Sequence, residues 1–387
     1  MNTKKIKVGI TGQSGFVGTH LYSTLKTMPE SFERIPFESG FFENTELFTS
    51  FVKKCDVIVH LAAINRCPNA NKLYKTNIEL AQKLITVLEE ENRTPHVIFS
   101  SSTQECLDNP YGNSKLECRK LFEAWAKERN ASFTGMIIPN IYGPFGLPNY
   151  NSFIATFCHK LTHDEEPEII TDSEVNLVYI ASLCNYIVSD ITKVQTANHP
   201  VIKDENIHQD FTKKVSEILM KLNDYKALYL NQGIIPSFAG INEINLFNTF
   251  RSYIDLNRYF PSVLKQNTDE RGTFVETIKL GTGGQVSFST TKPGVTRGNH
   301  YHTRKIERFT VIKGRARIQL RRIGTDTVYE YYLDGAQPSY VDMPIWFTHN
   351  ITNIGTDDLY TQFWINEWHD AADQDTFFED VAIKENK

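Results

Sequence analysis

The spacing of apolar and polar positions changes once along this chain. As far as about residue 255, short apolar runs alternate with stretches of helical period. The runs are IKVGI at 6–10, DVIVHLAA at 56–63, VIFSSS at 97–102 and FTGMIIPN at 133–140; residues 77–92 and 114–129 are the clearest helical stretches. An unbroken apolar run suits a strand covered on both faces, and its alternation with helices predicts a parallel, doubly wound α/β sheet. Residues 206–260 read as mainly helical, with apolar spacing in VSEILMKL and INLFNTFRSYI. From about residue 268 the period falls to two, in TFVETI, GQVSFST, RFTVIKG, RARIQLRR, TVYEYYL and LYTQFWI, with glycine turns. Many short alternating strands predict a β-sandwich or barrel. The expected organisation is an α/β domain over 1–257, a linker at RYFPSVLKQN, 258–267, and an all-β domain over 268–387.

Length agrees with two cores, since 387 residues exceed the roughly 100–200 of an ordinary domain. A net charge of −5 gives no sign of a nucleic-acid-binding or polybasic membrane surface. No apolar run approaches the roughly 18 residues that would span a bilayer, and MNTKKIKVGI lacks a signal-peptide pattern. The six cysteines all fall in the N-terminal half without C-x-x-C spacing, as expected of reduced thiols in a cytoplasmic protein.

Two sets of residues carry chemistry. The first strand leads into Thr11-Gly12-Gln13-Ser14-Gly15-Phe16-Val17-Gly18 and then a helical pattern. In that context Gly12 permits a tight turn, Gly15 lets backbone N–H groups approach a pyrophosphate, and Gly18 allows helix and strand to pack closely. Downstream, Tyr111 and Lys115 lie about one helical turn apart, which puts the ammonium beside the phenol and predicts a lowered tyrosine pKa. Ser102, or Thr103, at a strand end could bond the same substrate oxygen.

The second set is the pattern G-x5-H-x-H-x4-E-x6-G between Gly294 and Gly314. His300 and His302 point the same way on a strand, Glu307 could return to that face on a paired strand, and PIWFTHNITN adds His349. Three imidazoles and a carboxylate suit a divalent Zn, Mn, Fe or Ni ion. No cysteine lies nearby, so the ligands are nitrogen and oxygen.

TGQSGFVG, DVIVHLAA, SSS, YGNSK and NIYGP resemble the extended short-chain dehydrogenase/reductase family, whose domain is of Rossmann type. The C-terminal part resembles cupins, which are jelly-roll barrels; Pro344-Ile-Trp346-Phe-Thr-His349 with Asn353 is close to P-x-G-x2-H-x3-N, with Trp346 in place of the glycine. Residues 269–276 and 294–298 also resemble dTDP-sugar 3,5-epimerases, and both halves in this order resemble the CapF-type capsular polysaccharide enzymes. That resemblance implies a bifunctional enzyme. Its cupin would epimerise C3 of a UDP-2-acetamido-2,6-dideoxy-4-keto-hexose. Its reductase would then reduce the C4 ketone to UDP-2-acetamido-2,6-dideoxy-L-talose, en route to UDP-N-acetyl-L-fucosamine. Implied site residues are Ser102, Tyr111 and Lys115 for reduction, with cofactor contacts at Gly12, Gly15, Phe16, Val17, Gly18, Ala62 and Lys115. NADPH is the implied cofactor, with NADH as the alternative, since Arg34 and Glu38 give no clear choice. Zinc is the first candidate for the ion, and the expected partners are a UDP-sugar and a second copy in a homodimer, with no nucleic acid and no membrane insertion. If His300 is a ligand it is not the epimerisation base, for which Tyr301, Lys292, Lys305 and Tyr340 are candidates; Arg297 could stabilise an enolate or hold a phosphate. The alternative is a 4-ketoreductase with a non-catalytic, sugar-binding or dimerising cupin.

Overall fold

A computed structural model describes residues 4–383. The chain divides into two compact units, Met1–Phe153 with Asp172–Val215, and Ile154–Thr171 with Ser216–Lys387.

Among the described residues, the strands of the first unit are, in chain order, β1 (Ile6–Thr11), β2 (Phe32–Ile35), β3 (Val57–His60), β4 (His96–Ser102), β5 (Phe133–Ile138), β6 (Asn140–Tyr142), β7 (Glu174–Tyr179), β8 (Ile202–Asn206) and β9 (Phe211–Lys214). Six form a parallel sheet in the order β2-β1-β3-β4-β5-β8, and β6-β7-β9 form a small second sheet. Helices α2 (Thr45–Lys54), α3 (Ala70–Glu90) and α4 (Pro110–Arg129) share a core with the sheet through Phe51, Leu84, Phe122 and Phe133. Helix α1 (Phe16–Lys26) packs with α6 (Ile180–Gln195), while α5 (Phe153–Thr162) lies mostly in the second unit. Buried on both faces, β1, β3, β4 and β5 are the near-continuous apolar runs of the sequence. Strand order reverses between β1 and β3, which opens a crevice at their C-terminal ends.

The second unit holds β10 (Ile234–Ile235), β11 (Ser262–Val263), β12 (Gln266–Asp269), β13 (Gly272–Val275), β14 (Lys279–Leu280), β15 (Gln285–Thr291), β16 (Thr296–Tyr301), β17 (Glu307–Lys313), β18 (Arg315–Arg322), β19 (Val328–Asp334), β20 (Ser339–Met343), β21 (Phe347–Asn353), β22 (Leu359–Ile365) and β23 (Phe377–Phe378). Two five-stranded sheets result, β11-β20-β17-β22-β15 and β19-β18-β21-β16-β23. They face one another: Phe309 of the first sheet meets His349 of the second at 5.7 Å between ring centroids. This is the all-β, cupin-like architecture anticipated for the C-terminal part.

Helices α7 (Val215–Tyr225), α8 (Ile241–Arg251) and α9 (Leu256–Tyr259) group almost entirely with this unit. The sequence reading placed them in the first domain. Their attachment is polar and buried: Arg251 on α8 donates to the Met343 carbonyl of β20 at 3.0 Å, and Tyr229, between α7 and α8, donates at 2.6 Å to Asp342 of β20, whose two carboxylate oxygens also accept from Arg308 on β17 at 2.7 and 2.9 Å. The segment 258–267, expected as a linker, contributes β11 to the sheet and buries Phe260. Helical periodicity identified these elements but could not say which sheet they cover. No helix among the described residues is long and apolar enough to cross a membrane.

Candidate active site and metal centre

Strand β1 ends in a turn whose geometry requires glycine. Gly12 has φ +72°, and a Cβ there would come within 2.8 Å of the Ala62 amide nitrogen, so the turn sits against the end of β3 in the crevice. A Cβ on Gly18 would meet the Gly12 carbonyl oxygen at 2.3 Å. Gly15 caps α1 without a side-chain acceptor, leaving the first turn, with Phe16 and Val17, suited to an anion. The run DVIVHLAA stops being strand at His60, whose Nδ1 bonds Thr11 Oγ1 at 2.9 Å. Arg34 is held against α1, donating to the Tyr22 carbonyl at 3.2 Å with its guanidinium 4.2 Å from the Tyr22 ring, while Glu38 is exposed.

Tyr111 and Lys115 occupy the first turns of α4, which begins at Pro110 after the cap Asn109. Lys115 is buried, and its ammonium donates to the Ser100 carbonyl at 2.8 Å and lies 5.7 Å from the Tyr111 ring centroid. Burial pulls the Lys115 pKa down to about 8. Here the expectation of a lowered tyrosine pKa is corrected. Burial, with Tyr150 nearby, pushes Tyr111 up to about 12, so its phenol stays protonated at neutral pH. Ser102 ends β4 as expected, its Oγ accepting from the Gln104 N–H at 3.2 Å. Spacing alone did not reveal Asn77, whose buried amide bonds Ile64 and Ser114 and ties α3 to α4 and to the loop after β3.

His300, His302, Glu307 and His349 converge, their nearest ligand atoms all within 4.8 Å of one another. Glu307 arrives by a route other than the expected one. It lies on β17 in the facing sheet, so the carboxylate reaches the imidazoles across the barrel interior. His302 Nε2 and His349 Nε2 lie 3.1 and 3.3 Å from Glu307 Oε2. All three atoms are buried, and none makes a hydrogen bond of good geometry. Bonds of about 2.0–2.1 Å to a tetrahedral ion imply ligand separations of roughly 3.3 Å, so the donor set fits a divalent cation. Charge agrees: burial and its two neighbouring imidazoles hold His300 near 4, hence neutral and able to ligate. Glu307 is held below the usual carboxylate range by His302 and His349 although burial alone would raise it.

The supporting structure is partly outside the motif. Gly298, φ +103°, and Asn299, φ +59°, make a bulge between Gly298 and His300 that re-aims the strand. Trp346 adopts φ +63°, so it keeps the turn conformation that glycine usually supplies, and it stacks on Tyr301 at 5.8 Å. Asp375, which the sequence reading missed, accepts from the backbone N–H groups of Thr303, Arg304 and Lys305 through its carboxylate, and its carbonyl meets His302 Nδ1 at 2.5 Å. Of the base candidates, Lys305 donates to the Gln374 carbonyl at 2.6 Å, Tyr340 lies 3.7 Å under the Arg308 guanidinium, Tyr301 is stacked on aromatic rings, and Lys292 is exposed. Arg297 is exposed and donates to the Thr290 carbonyl at 3.2 Å.

Comparison with known proteins matches the two halves of the chain. Residues 8–202 match the NAD dependent epimerase/dehydratase family and residues 267–377 the polysaccharide biosynthesis C-terminal domain. Over 375 residues the chain is 33% identical to a UDP-2-acetamido-2,6-beta-L-arabino-hexul-4-ose reductase of Pseudomonas aeruginosa, covering 96% of this chain and 98% of that one. It is similar to the capsular polysaccharide assembling protein CapF of Staphylococcus aureus, with TM-score 0.61 and 33% identity, covering 97% of this chain and all of that one. A UDP-glucose 4-epimerase of Thermotoga maritima, 18% identical with TM-score 0.50, covers 57% of this chain and 83% of its own and shares only the fold. The chain belongs to the NAD dependent epimerase/dehydratase family, in the CapF-type arrangement that joins this domain to a polysaccharide biosynthesis C-terminal domain.

Proposed function

We propose that this chain is a bifunctional nucleotide-sugar enzyme. Its C-terminal unit epimerises C3 of a UDP-2-acetamido-2,6-dideoxy-4-keto-hexose, and its N-terminal unit reduces the C4 ketone with NADPH. The product is UDP-2-acetamido-2,6-dideoxy-L-talose, a precursor of UDP-N-acetyl-L-fucosamine. The observation that carries this reading is the co-occurrence on one chain of a Ser/Tyr/Lys set, a glycine turn at the end of β1 and a largely buried three-histidine, one-glutamate set. Full-length likeness to a UDP-hexulose reductase supports it.

When bound, the reduced nicotinamide supplies a hydride for the ketone, and the divalent ion, zinc first among candidates, supplies a Lewis-acidic charge. Tyr111 donates a proton to the C4 oxygen, a role suited to a phenol that burial keeps protonated. Ser102 bonds the same oxygen. Lys115, tethered to the Ser100 carbonyl, holds the cofactor ribose, and the turn at Gly12, Gly15 and Gly18, with Ala62, holds the pyrophosphate. His300, His302, His349 and Glu307 hold the ion. The C3–H is acidic only while C4 is a ketone, because the carbanion delocalises onto the carbonyl oxygen. Reduction therefore traps the new configuration. A cytoplasmic homodimer belongs to the same proposal, since β15 is an edge strand with Val286 and Phe288 exposed.

A second reading keeps the reductase and makes the C-terminal unit a sugar-binding or dimerising module. It is favoured by the engagement of Tyr301, Tyr340 and Lys305 in packing or hydrogen bonds away from the four ligands. Paired variants separate the two. With UDP-4-keto sugar, Tyr111→Phe should abolish NADPH oxidation and spare proton exchange at C3, whereas His302→Ala should reduce exchange. Absence of exchange at C3 in wild-type protein that still reduces the sugar would favour the second reading, and loss of both activities in Tyr111→Phe would contradict independent sites.

A further inference from the structure

Between Ser102 and Tyr111 the chain spends only residues 103–110, a short turn that must hold a strand end and a helix start in register. At the middle of it, Glu105 takes the guanidinium of Arg119 in a two-pronged grip, Nε to Oε2 at 3.0 Å and Nη2 to Oε1 at 2.7 Å. The same Oε2 accepts from Ser101 Oγ at 2.5 Å. Arg119 also pairs through Nη1 with Asp204 on β8. The two side chains of the central pair are only 12% and 11% exposed, so their geometry is fixed and partly desolvated, unlike a surface ion pair.

Two glycines leave the room this arrangement needs. On β5, a Cβ at Gly135 would meet Asp204 Oδ1 at 2.6 Å and Arg119 Cδ at 2.7 Å. Glycine inside a strand is otherwise unfavourable, and here it clears the path of the arginine across the sheet. In the first turn of α4, a Cβ at Gly112 would meet the Gln104 carbonyl oxygen at 2.0 Å, so the turn lies directly on the helix.

We propose that Arg119, acting through Glu105 and Ser101, is a positioning residue for the reductase, setting the separation of Ser102 and Tyr111. Ser101 is the immediate neighbour of Ser102 on β4, and Arg119 lies on the same helix as Tyr111 and Lys115, one turn beyond the lysine. One half-buried guanidinium thus joins the strand carrying the serine, the helix carrying the tyrosine and the turn between them. This inference rests on the reductase reading, because it assigns the two groups to one substrate oxygen.

The test uses the full-length enzyme with Arg119→Met, Arg119→Lys and Gly135→Ala. Each should lower kcat for reduction of the UDP-4-keto sugar, by about ten- to a hundredfold for Arg119→Met, since small misplacements of reacting groups have effects of that size. Cofactor Kd, read by nicotinamide fluorescence, should stay within about twofold, and Arg119→Lys, which keeps the charge but loses the fork, should recover only part of kcat. Should Arg119→Met fail to fold, Glu105→Gln takes its place with the same expectation. An unchanged kcat in a folded variant, or a fall in kcat matched by an equal loss of cofactor affinity, would overturn the assignment. If the wild-type enzyme shows no reduction at all, the reductase reading fails. Amide hydrogen exchange then judges the network: faster exchange confined to 103–110 in the variants supports its hold on the turn, and unchanged exchange refutes it.

Discussion

Trp346 and Lys115 show how single residues carry strain and charge at these sites. A left-handed backbone costs a non-glycine residue roughly 1–2 kcal/mol, yet the Trp346 ring is buried against Tyr301. Losing a buried tryptophan side chain costs about 3–5 kcal/mol, so relief of strain in Trp346→Gly should not compensate. We expect a net loss of about 2–3 kcal/mol, read as a lower Tm, and an unchanged or higher Tm would show that the ring contributes little. Lys115 gives a pH signature. Below about 8 its ammonium is charged in folded and unfolded chains alike, and folding carries the whole desolvation cost. Between about 8 and the ordinary 10.5 the folded enzyme sheds a proton that the unfolded chain retains, so stability should rise with pH over that window. Reduction should behave oppositely, flat through neutral pH and declining above about 8 as the ammonium is lost, while Tyr111 stays protonated. A rate that instead falls through neutrality would mean that Tyr111 titrates there.

At the scale of elements, the candidate metal centre is a joint between two sheets closed by the C-terminal segment. The Asp375 carboxylate caps the turn that links His302 to Glu307 and so anchors the Asp375 carbonyl against the His302 ring; Asp375→Ala keeps the carbonyl but removes that anchor, and should weaken divalent-ion binding by roughly 10–100-fold, measured by competition with a chelator. An unaltered affinity would make the segment irrelevant to the site. The candidate ligands were legible because residues two apart in extended chain, or four apart on a helix, share a face whatever the fold, although β16 itself ends at Tyr301, one residue before His302. That local rule paired His300 with His302 and Tyr111 with Lys115. It could not place Glu307 on the opposite sheet or find Asp375, 73 residues from His302, because such contacts are set by topology. It also misjudged the sign of the Tyr111 shift, since proximity of a cation was visible in the sequence and burial was not.

For the molecule as a whole, the change of periodicity near residue 268 marks a change of secondary structure, while the compact C-terminal unit begins earlier. The outer face of the sheet containing β17 and β20 holds Arg308 and Asp342, each almost fully buried, and α7 to α9 share that unit. Removing the arginine leaves a buried carboxylate unpaired, so Arg308→Met should cost about 3–5 kcal/mol by calorimetry. A fragment starting at residue 268 should fail to fold, because it loses β11, Tyr229 and the buried Phe247 and Phe250 that cover this face. A well-folded fragment would show that the helices are dispensable.

The central claim is that a ketone-bearing nucleotide sugar is epimerised at one site and reduced at another on this chain. Incubation of the metal-loaded protein with the UDP-4-keto-6-deoxy sugar in D₂O, without nicotinamide cofactor, tests it most directly. Deuterium should enter at C3 and the ketone should persist until NADPH is added. Absence of deuterium at C3 in protein that still reduces the sugar would contradict the claim and leave the C-terminal unit without chemistry.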